Sequence, residues 1–365
     1  MYLAGVIALL ILAVHHAAST IIKQPELCNG GYCLPKHLCP TGQANDVPTP
    51  GLNDLITLQV DEENECGDFM KICCAGSSII NATATETNDA VPQVAQECGI
   101  PNSQGLVYNV ESNLTYAKYA EFPWTVVIYQ ITFSSNDIEL IHVGGGTLIH
   151  PKFVVTAAHT LKKPHRYEAR FGEWNMKSDA EAYPAQDIGI EEVIAHPSYR
   201  DTCTPENDIA LGVLKKSVVY SPHIRPLCLP NERDLFFGKR CVASGWGVDV
   251  RTGQPASIMK RIELNVVPRL LCQQLYQLAD GDSSFQLHRS AICARAAELQ
   301  DTCDKDGGTP MACPKEDGTY VLAGITSWGL KCGNPDAPGV YVDVGKFVCW
   351  IKNTIEGYEE LHAEE

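Results

Sequence analysis

Sixteen cysteines in a chain of 365 residues constrain the fold more strongly than any other feature of this sequence. An even and dense set of cysteines is typical of a protein that is secreted and held together by disulfides. Six of them crowd the N-terminal region and end in an adjacent pair: Cys28, Cys33, Cys39, Cys66, Cys73 and Cys74. Spacing alone allows fifteen pairings of six cysteines. A region this small cannot bury a large core, so its crosslinks must stabilise it.

A zinc site is the competing interpretation of these N-terminal cysteines. They lack the paired CxxC spacing that is typical of structural zinc sites, and the oxidising secretory route favours disulfides. The sequence therefore predicts no metal site and no cofactor.

The N-terminus has the features of a secretory signal. Residues 3–14 form an apolar run followed by small residues, which predicts a signal peptide over 1–19, cleaved after Ala18 or Ser19. A signal anchor is the alternative, but the run is too short to span a bilayer comfortably.

Two further features limit what the surface carries and binds. Sequons at Asn81 and Asn113 are acceptor motifs for N-linked glycans on the secretory route. The formal net charge of −16 would repel nucleic acid and anionic membranes, so we expect neither as the main partner.

Short motifs follow one another along the rest of the chain. They are VVTAAHT at 154–160, NDIAL at 207–211, SGWG at 244–247, KDGGTP at 305–310, SWG at 327–329 and GVY at 339–341. In this order they resemble the motifs of trypsin-like serine proteases, and the resemblance covers roughly residues 98–355. It implies an all-β fold of two six-stranded barrels with a short C-terminal helix near 346–355. Short alternating runs at 124–131 and 320–325, separated by Gly and Pro turns, are consistent with this fold.

The same resemblance implies that the chain is not an enzyme. Active relatives read GDSGGP where this chain reads KDGGTP, so the position of the nucleophilic serine is Gly307. Glycine has no hydroxyl, so no acyl-enzyme can form. His159 and Asp208 match the general base and the aspartate that orients it, and without a nucleophile we expect this pair to serve as scaffold. A weak hydrolase that uses Thr309 instead is an alternative, but that hydroxyl lies two residues beyond the proper position.

Two other elements of active relatives are altered. A glycine that supplies one oxyanion-hole amide is replaced by Lys305, whose Cβ restricts the backbone. In active relatives, an amino terminus freed before an IVGG-like sequence pairs with the aspartate that precedes the serine. The corresponding stretch here, 111–114, is not IVGG-like and is not preceded by Arg or Lys. We therefore expect Asp306 to lack its usual ammonium partner, so that the pocket must be ordered in another way.

A binding pocket is expected to remain. Asp301 lies six residues before Gly307, where trypsin-like relatives place the aspartate of the primary specificity pocket. Gly329 and Gly339 match the open walls of that pocket. The resemblance implies a pocket for a Lys or Arg side chain of a partner. The alternative is that Asp301 is a relic or is neutralised by Lys305.

The adjacent cysteine pair ahead of a protease-like region resembles the clip domain of arthropod proteases, in particular of subfamily A. That resemblance implies the clip bridges Cys28–Cys73, Cys33–Cys66 and Cys39–Cys74. The protease-like region would contain Cys98–Cys228, Cys241–Cys313, Cys272–Cys293 and Cys303–Cys332, and the two remaining cysteines would form Cys203–Cys349. The family bridge beside the catalytic histidine is missing, because Gly144 and Thr160 occupy its positions.

These features divide the chain into five parts. They are a signal peptide (1–19), a clip domain (20–75), a flexible linker (76–97), a trypsin-like protease-homologue domain (98–355) and an acidic tail (356–365). The linker contains no Lys or Arg, so a trypsin-like protease would have to cut elsewhere. The nearest basic residues are Lys71 in the clip and Lys118 near the first barrel. We favour Lys71, because packing should restrict access to Lys118.

The resemblance to clip-domain protease homologues implies a secreted, non-catalytic regulator in arthropod haemolymph. Such proteins act in extracellular immune protease cascades that control prophenoloxidase activation and melanisation. The expected partners are cascade serine proteases and prophenoloxidase or other protease homologues. A protein that recognises microbial surfaces is the alternative from another class, although the acidic balance and the lack of a lectin-like repeat weigh against it.

Overall fold

In the computed structural model, the described residues are 26–29, 31–39, 55–60, 64–75, 97–111, 116–134, 137–296, 300–330, 332–334 and 336–363. The expected signal peptide, most of the expected linker and both sequon asparagines lie outside these ranges. Within them, no helix is both long and apolar enough to cross a membrane.

The described part of the clip region contains β1 (Leu27–Cys28), β2 (Gly31–Pro35), β3 (Ile56–Gln59) and β4 (Lys71–Ala75). After β5 (Tyr108–Glu111) come β6 (Thr125–Phe133), β7 (Ile138–His150), β8 (Phe153–Thr156), β9 (Arg166–Phe171), β10 (Gln186–Ala195) and β11 (Ala210–Leu214). The remaining strands are β12 (Arg240–Gly245), β13 (Lys260–Val267), β14 (Ala291–Ala296), β15 (Pro310–Pro314), β16 (Tyr320–Trp328) and β17 (Gly339–Asp343). The described residues also contain the α-helices α1 (Arg269–Asp280) and α2 (Val348–His362), and short 3-10 helices at Lys36–Leu38 and Val344–Lys346.

Two closed six-stranded barrels confirm the expected all-β architecture. The first has the strand order β10-β11-β8-β7-β6-β9, and the second has the order β12-β13-β14-β17-β16-β15. Strands such as β8 and β11 are buried along their whole length, because one face lines a barrel and the other packs against neighbouring elements. The barrels meet where the Thr125 and Ser244 hydroxyls lie 2.6 Å apart, beside the fully buried Trp124 and Trp246. The candidate site lies at this junction.

The clip packs onto the protease-like body and shares its core. Strand β3 pairs in parallel with β5, and Leu58 and Met70 are fully buried in one cluster with Trp174. Each of these apolar side chains contributes about 1.5–3 kcal/mol by leaving water. Ser178 donates a 2.7 Å hydrogen bond to Asp68 across the same contact. The clip is therefore stabilised by its contact with the body as well as by its crosslinks.

Seven of the eight expected disulfides are formed: Cys28–Cys73, Cys33–Cys66, Cys39–Cys74, Cys98–Cys228, Cys241–Cys313, Cys272–Cys293 and Cys303–Cys332. The expected Cys203–Cys349 bridge is absent, and both cysteines are exposed thiols. The Cys349 thiol donates a 2.6 Å hydrogen bond to Glu232 Oε1, which raises its pKa. Cys203 lies in a loop closed by pairing of Arg200 with Glu206. The expected pairing of the two leftover cysteines was therefore wrong, and the Cys349 sulfur contacts Glu232 instead.

The C-terminal segment is also different from the expectation. Helix α2 ends at His362, so most of the expected acidic tail, 356–365, is helical. Tyr358 packs edge-on against Phe153 of the first barrel, and its hydroxyl lies 3.0 Å from Glu191 Oε1. The acidic composition suggested a solvated tail, but these contacts hold an additional two turns of helix against the barrel.

Two carboxyl groups meet in the loop that follows β9. Glu173 is buried and accepts a 2.9 Å hydrogen bond from the Trp174 N–H, and Glu181 accepts a 2.8 Å hydrogen bond from the Asn175 N–H. Burial, and then the neighbouring charge of Glu173, raise the pKa of Glu181 to about 9. The pair therefore retains a proton at neutral pH.

This carboxyl pair predicts a pH dependence of stability. Folded Glu181 keeps its proton up to about pH 9, whereas an unfolded glutamate loses it near 4.5. The folded state binds more protons between these values, so the free energy of unfolding should fall as the pH rises through this interval. Glu181→Gln stays neutral at every pH, so we expect it to weaken the pH dependence of the free energy of unfolding. Urea unfolding curves recorded at about pH 6 and about pH 8.5 measure this free energy. The exposed control Glu316→Gln should keep the wild-type dependence, and equal dependence in both variants would contradict the assignment.

Candidate functional site

An intact histidine–aspartate pair lies between the barrels. His159 follows β8 and Asp208 precedes β11, and the pairing of these two strands brings the residues together. His159 Nδ1 lies 2.7 Å from Asp208 Oδ2, and the His159 backbone N–H donates to Asp208 Oδ1 at 2.9 Å. Ser327 Oγ donates a further 2.6 Å hydrogen bond to Asp208 Oδ2. Three donors thus orient a carboxylate that is 1% exposed, as a general-base histidine would require.

Ser327 is a site residue that the sequence reasoning did not assign. It lies in the SWG motif, of which the sequence analysis assigned only Gly329, to a wall of the pocket. The motif contains Ser327, but the contact of Ser327 with Asp208 depends on how β16 of the second barrel packs against the first barrel.

Gly307 lies directly against the imidazole and offers no nucleophile. A Cβ atom built on Gly307 would overlap His159 Nε2, so the ring occupies the space that a serine side chain would need. The Gly307 carbonyl accepts a 2.9 Å hydrogen bond from the Gly145 N–H. The loop therefore lies directly beside the histidine, too close to it for a side chain at position 307.

Thr309 cannot replace the missing serine. Its residue is 1% exposed, and its Oγ1 donates a 2.7 Å hydrogen bond to the Asp306 carbonyl. The same hydroxyl lies 2.9 Å from Thr326 Oγ1. Because these buried partners use the hydroxyl, the substitute-nucleophile alternative has no structural basis.

Lys305 adopts the backbone conformation that a glycine would favour. Its φ angle is 69°, in a tight turn closed by a 2.9 Å hydrogen bond from the Asp306 N–H to the Cys303 carbonyl. A non-glycine residue in this region costs on the order of 1–3 kcal/mol. We expected the Cβ of Lys305 to restrict this conformation, but the surrounding contacts hold the turn in spite of that cost.

The ammonium that pairs with Asp306 belongs to a lysine instead of a freed amino terminus, so the loop is ordered in another way, as the sequence led us to expect. Lys260 Nζ lies 2.5 Å from Asp306 Oδ2, and the two side chains are only 6% and 0% exposed. Asp306 also accepts 2.9 Å hydrogen bonds from the backbone N–H groups of Gly247 and Cys303. Lys260 Nζ donates in addition to the Val248 carbonyl at 3.1 Å. A lysine of β13 therefore takes the place of a freed amino terminus.

The expected pocket residues Asp301 and Gly339 each have defined neighbours. Asp301 Oδ2 accepts a 2.6 Å hydrogen bond from the Gly333 N–H, and burial raises the pKa of its carboxyl. Gly339 lies against the buried ring of Tyr341, whose hydroxyl is 3.0 Å from Thr302 Oγ1. The alternative was that Lys305 neutralises Asp301, but the donor that contacts this carboxylate is the Gly333 backbone N–H.

Gly329 lies beside open space, since a Cβ built there would meet no neighbouring atom. Gly144 and Thr160, which occupy the two positions of the missing family bridge, are neighbours. A Cβ built on Gly144 would press against Thr160 Cγ2.

Among the described residues, the candidate metal-binding groups consist mainly of cysteines that are bonded in disulfides. The groups Cys28, Cys33 and Cys66, and Cys28, Glu65 and Cys73, are close enough to share an ion. Every cysteine in them belongs to a disulfide, so the sulfurs are not thiolate ligands.

The two candidate cleavage residues lie in ordered backbone. Lys71 begins β4, and its Nζ is 3.2 Å from Asp179 Oδ1. Lys118 Nζ donates a 2.9 Å hydrogen bond to the Ser103 carbonyl. We favoured Lys71 because packing should restrict access to Lys118, but packing also limits access at Lys71, whose neighbour Met70 is fully buried.

We predict that Gly307→Ser restores no peptidase activity. The new side chain would collide with the His159 ring, and Lys305 would still carry a Cβ at the oxyanion position. Removing the serine of a comparable hydrolase costs on the order of 10⁶ in turnover, so a true rescue would be easy to detect. Chromogenic substrates with Lys or Arg at the cleaved bond test this, with Gly307→Ala as the matched control. Turnover by the serine variant that the alanine variant lacks would show that His159 can move aside and that Lys305 is harmless.

Comparison with known proteins agrees with this geometry. The Trypsin family matches residues 112–351. The inactive CLIP domain-containing serine protease A8 of Anopheles gambiae is 46% identical over 331 residues, which cover 90% of each chain. The inactive CLIP domain-containing serine protease A28 of the same organism is 40% identical over 93% of this chain and 92% of its own. The phenoloxidase-activating factor 2 of Galleria mellonella is 38% identical over 71% of this chain and 89% of its own.

The two relatives with the highest of these identities match 90% and 93% of this chain, and both are named as inactive. Their names agree with a site in which His159 and Asp208 are in place and the nucleophile position, Gly307, carries no hydroxyl. The chain belongs to the trypsin family and is a non-catalytic, clip-domain serine protease homologue.

Proposed function

We propose that the chain is a secreted regulatory cofactor in an extracellular immune protease cascade that controls prophenoloxidase activation and melanisation. The observation that carries this proposal is a protease cleft whose supporting network is complete while its nucleophile is absent. His159, Asp208 and Ser327 are held as in an enzyme, but Gly307 supplies no hydroxyl. Such a cleft can bind an extended segment of another protein without cutting it.

Relatives support the choice of cascade. Phenoloxidase-activating factors from Galleria mellonella and Holotrichia diomphalia are 38% and 30% identical to this chain. The partners we propose are cascade serine proteases, and prophenoloxidase or other protease homologues. We propose Asp301 as the anchor for a Lys or Arg side chain of such a partner, and the hydrogen bond from the Gly333 N–H, which holds its carboxyl in place, supports this role.

The disulfides support an extracellular location. Seven disulfides in one chain are typical of proteins that mature in an oxidising compartment and remain outside the cell. Together with the expected signal peptide over 1–19, they favour secretion into the haemolymph.

Regulation by a cut after Lys71 is part of the proposal. The Cys28–Cys73 and Cys39–Cys74 bridges would keep the two pieces joined after this cut. The Lys71–Asp179 ion pair and the pairing of β4 with β2 would first have to open, so cleavage would loosen the contact between clip and body. The cut would then expose a docking face and would create no active site.

A reconstituted assay tests this function. Prophenoloxidase and its activating protease are incubated with and without this chain, in its intact form and after treatment with a cascade protease. We expect the treated chain to raise phenoloxidase activity, and Lys71→Gln to abolish both the cut and the effect. The exposed substitution Lys315→Gln should behave as wild type.

Two results would contradict the proposal. Cleavage of Lys71→Gln at the wild-type rate would remove the regulatory step. Binding to washed microbes, without any effect on phenoloxidase activity, would favour the alternative class of microbial-surface recognition proteins.

A further inference from the structure

The Asp306 carboxylate is enclosed on every side by groups that fit its charge and shape. Its side chain is 0% exposed, and it contacts the Lys260 ammonium and two backbone N–H groups. A Cβ on Gly247 would overlap the carboxylate, so only a glycine leaves room for it at that position. A carboxylate buried in this way is stable only while it is paired, and the loss of its cation would leave an isolated charge in the interior.

The lysine that supplies this cation is fixed by the barrel and not by a chain end. Lys260 is the first residue of β13 and pairs with Gly245 of β12. On its other side it pairs with Tyr116, in the segment that leads into the first barrel. The Lys260 ammonium therefore belongs to a strand that is already paired in the uncut chain.

The ion pair is connected to the cleft through a series of short contacts. Asp306 belongs to the loop that carries Gly307, and the next residue, Gly308, donates a 2.9 Å hydrogen bond to the Thr326 carbonyl. Thr326 in turn donates to the Thr309 carbonyl at 2.9 Å and precedes Ser327, which holds Asp208. Pairing of Asp306 thus positions both the loop and the strand that line the cleft.

We propose that Lys260 is a positioning residue that substitutes for a freed amino terminus, so that the cleft beside Asp301 is already formed in the uncut chain. Cleavage in the clip then regulates access or docking and does not assemble the cleft. This inference deepens the proposed function, and it rests on that function only for the identity of the partner. The occupant is the one given under the proposed function, a partner segment whose basic side chain would meet the Asp301 carboxyl.

Amide hydrogen exchange of the intact, uncut protein tests the role of Lys260. We expect slow exchange over 301–310 and 327–330 in the wild type, and faster exchange over the same segments in Lys260→Met. Strands β6 and β9 of the first barrel should be unchanged, which separates a local effect from general destabilisation. The exposed variant Lys239→Met is the matched control and should exchange as wild type.

A second set of variants keeps the test decisive if Lys260→Met does not fold. Asp306→Asn should loosen the same segments, because Lys260 then loses its counter-charge. The double variant Lys260→Met/Asp306→Asn should recover part of the protection, since neither charge is then left alone. Equal exchange in the wild type, Asp306→Asn and the double variant would overturn the proposal.

Ligand binding provides a readout that a purely structural lysine would not change. The probe is 4-aminobenzamidine, a small aromatic cation, titrated into the uncut protein. We expect binding to the wild type and to Lys239→Met, and affinity weaker by roughly tenfold or more in Lys260→Met. Binding that appears only after proteolysis, or that Lys260→Met leaves unchanged, would overturn the proposal. Neither measurement involves prophenoloxidase, so failure here is distinct from failure of the proposed function.

Discussion

The buried ion pair between Lys260 and Asp306 is the interaction on which the candidate site depends. It holds the loop that carries Gly307, and that loop is hydrogen-bonded to the end of β16, where Ser327 supports Asp208. Breaking a buried pair by removing one partner costs about 3–5 kcal/mol, because an uncompensated charge remains. The arrangement of the cleft therefore rests on a contact within the second barrel, and no product of cleavage is needed to complete it.

The structure separates binding geometry from catalysis. The chemical step is lost with one hydroxyl, since the Gly307 position faces His159 with no atom to attack a carbonyl. The supporting geometry is kept at a cost in folding free energy. Lys305 holds a left-handed backbone conformation, and Lys260 and Asp306 are buried as a charged pair. A fold that maintains such features without performing chemistry is well suited to present a cleft to another protein.

The sequence predicted the barrels, the histidine–aspartate pair and seven disulfides, because each depends on motifs that keep their order in the family. It did not predict the role of Lys260, since a lysine at the start of a strand is usually exposed. The signal was its register: Lys260 occupies an inward position in the alternating burial of β13. Only the fold shows that this position faces Asp306.

Other differences have equally specific causes. An even number of cysteines suggested Cys203–Cys349, but parity carries no information about distance. Composition suggested an acidic tail, but the contact of Tyr358 with Phe153 depends on tertiary packing. The docking of the clip rests on a few apolar side chains such as Leu58 and Met70, which have no distinguishing pattern in the sequence.

The most direct test of this account is the state of the Lys260 ammonium in the uncut protein. Nuclear magnetic resonance of protein labelled with ¹⁵N-lysine can detect side-chain ammonium protons that exchange slowly with water. The account predicts such a signal that disappears in Lys260→Met, because Lys260 Nζ is enclosed between Asp306 and the Val248 carbonyl. Rapid exchange of every lysine ammonium in the uncut chain would contradict it.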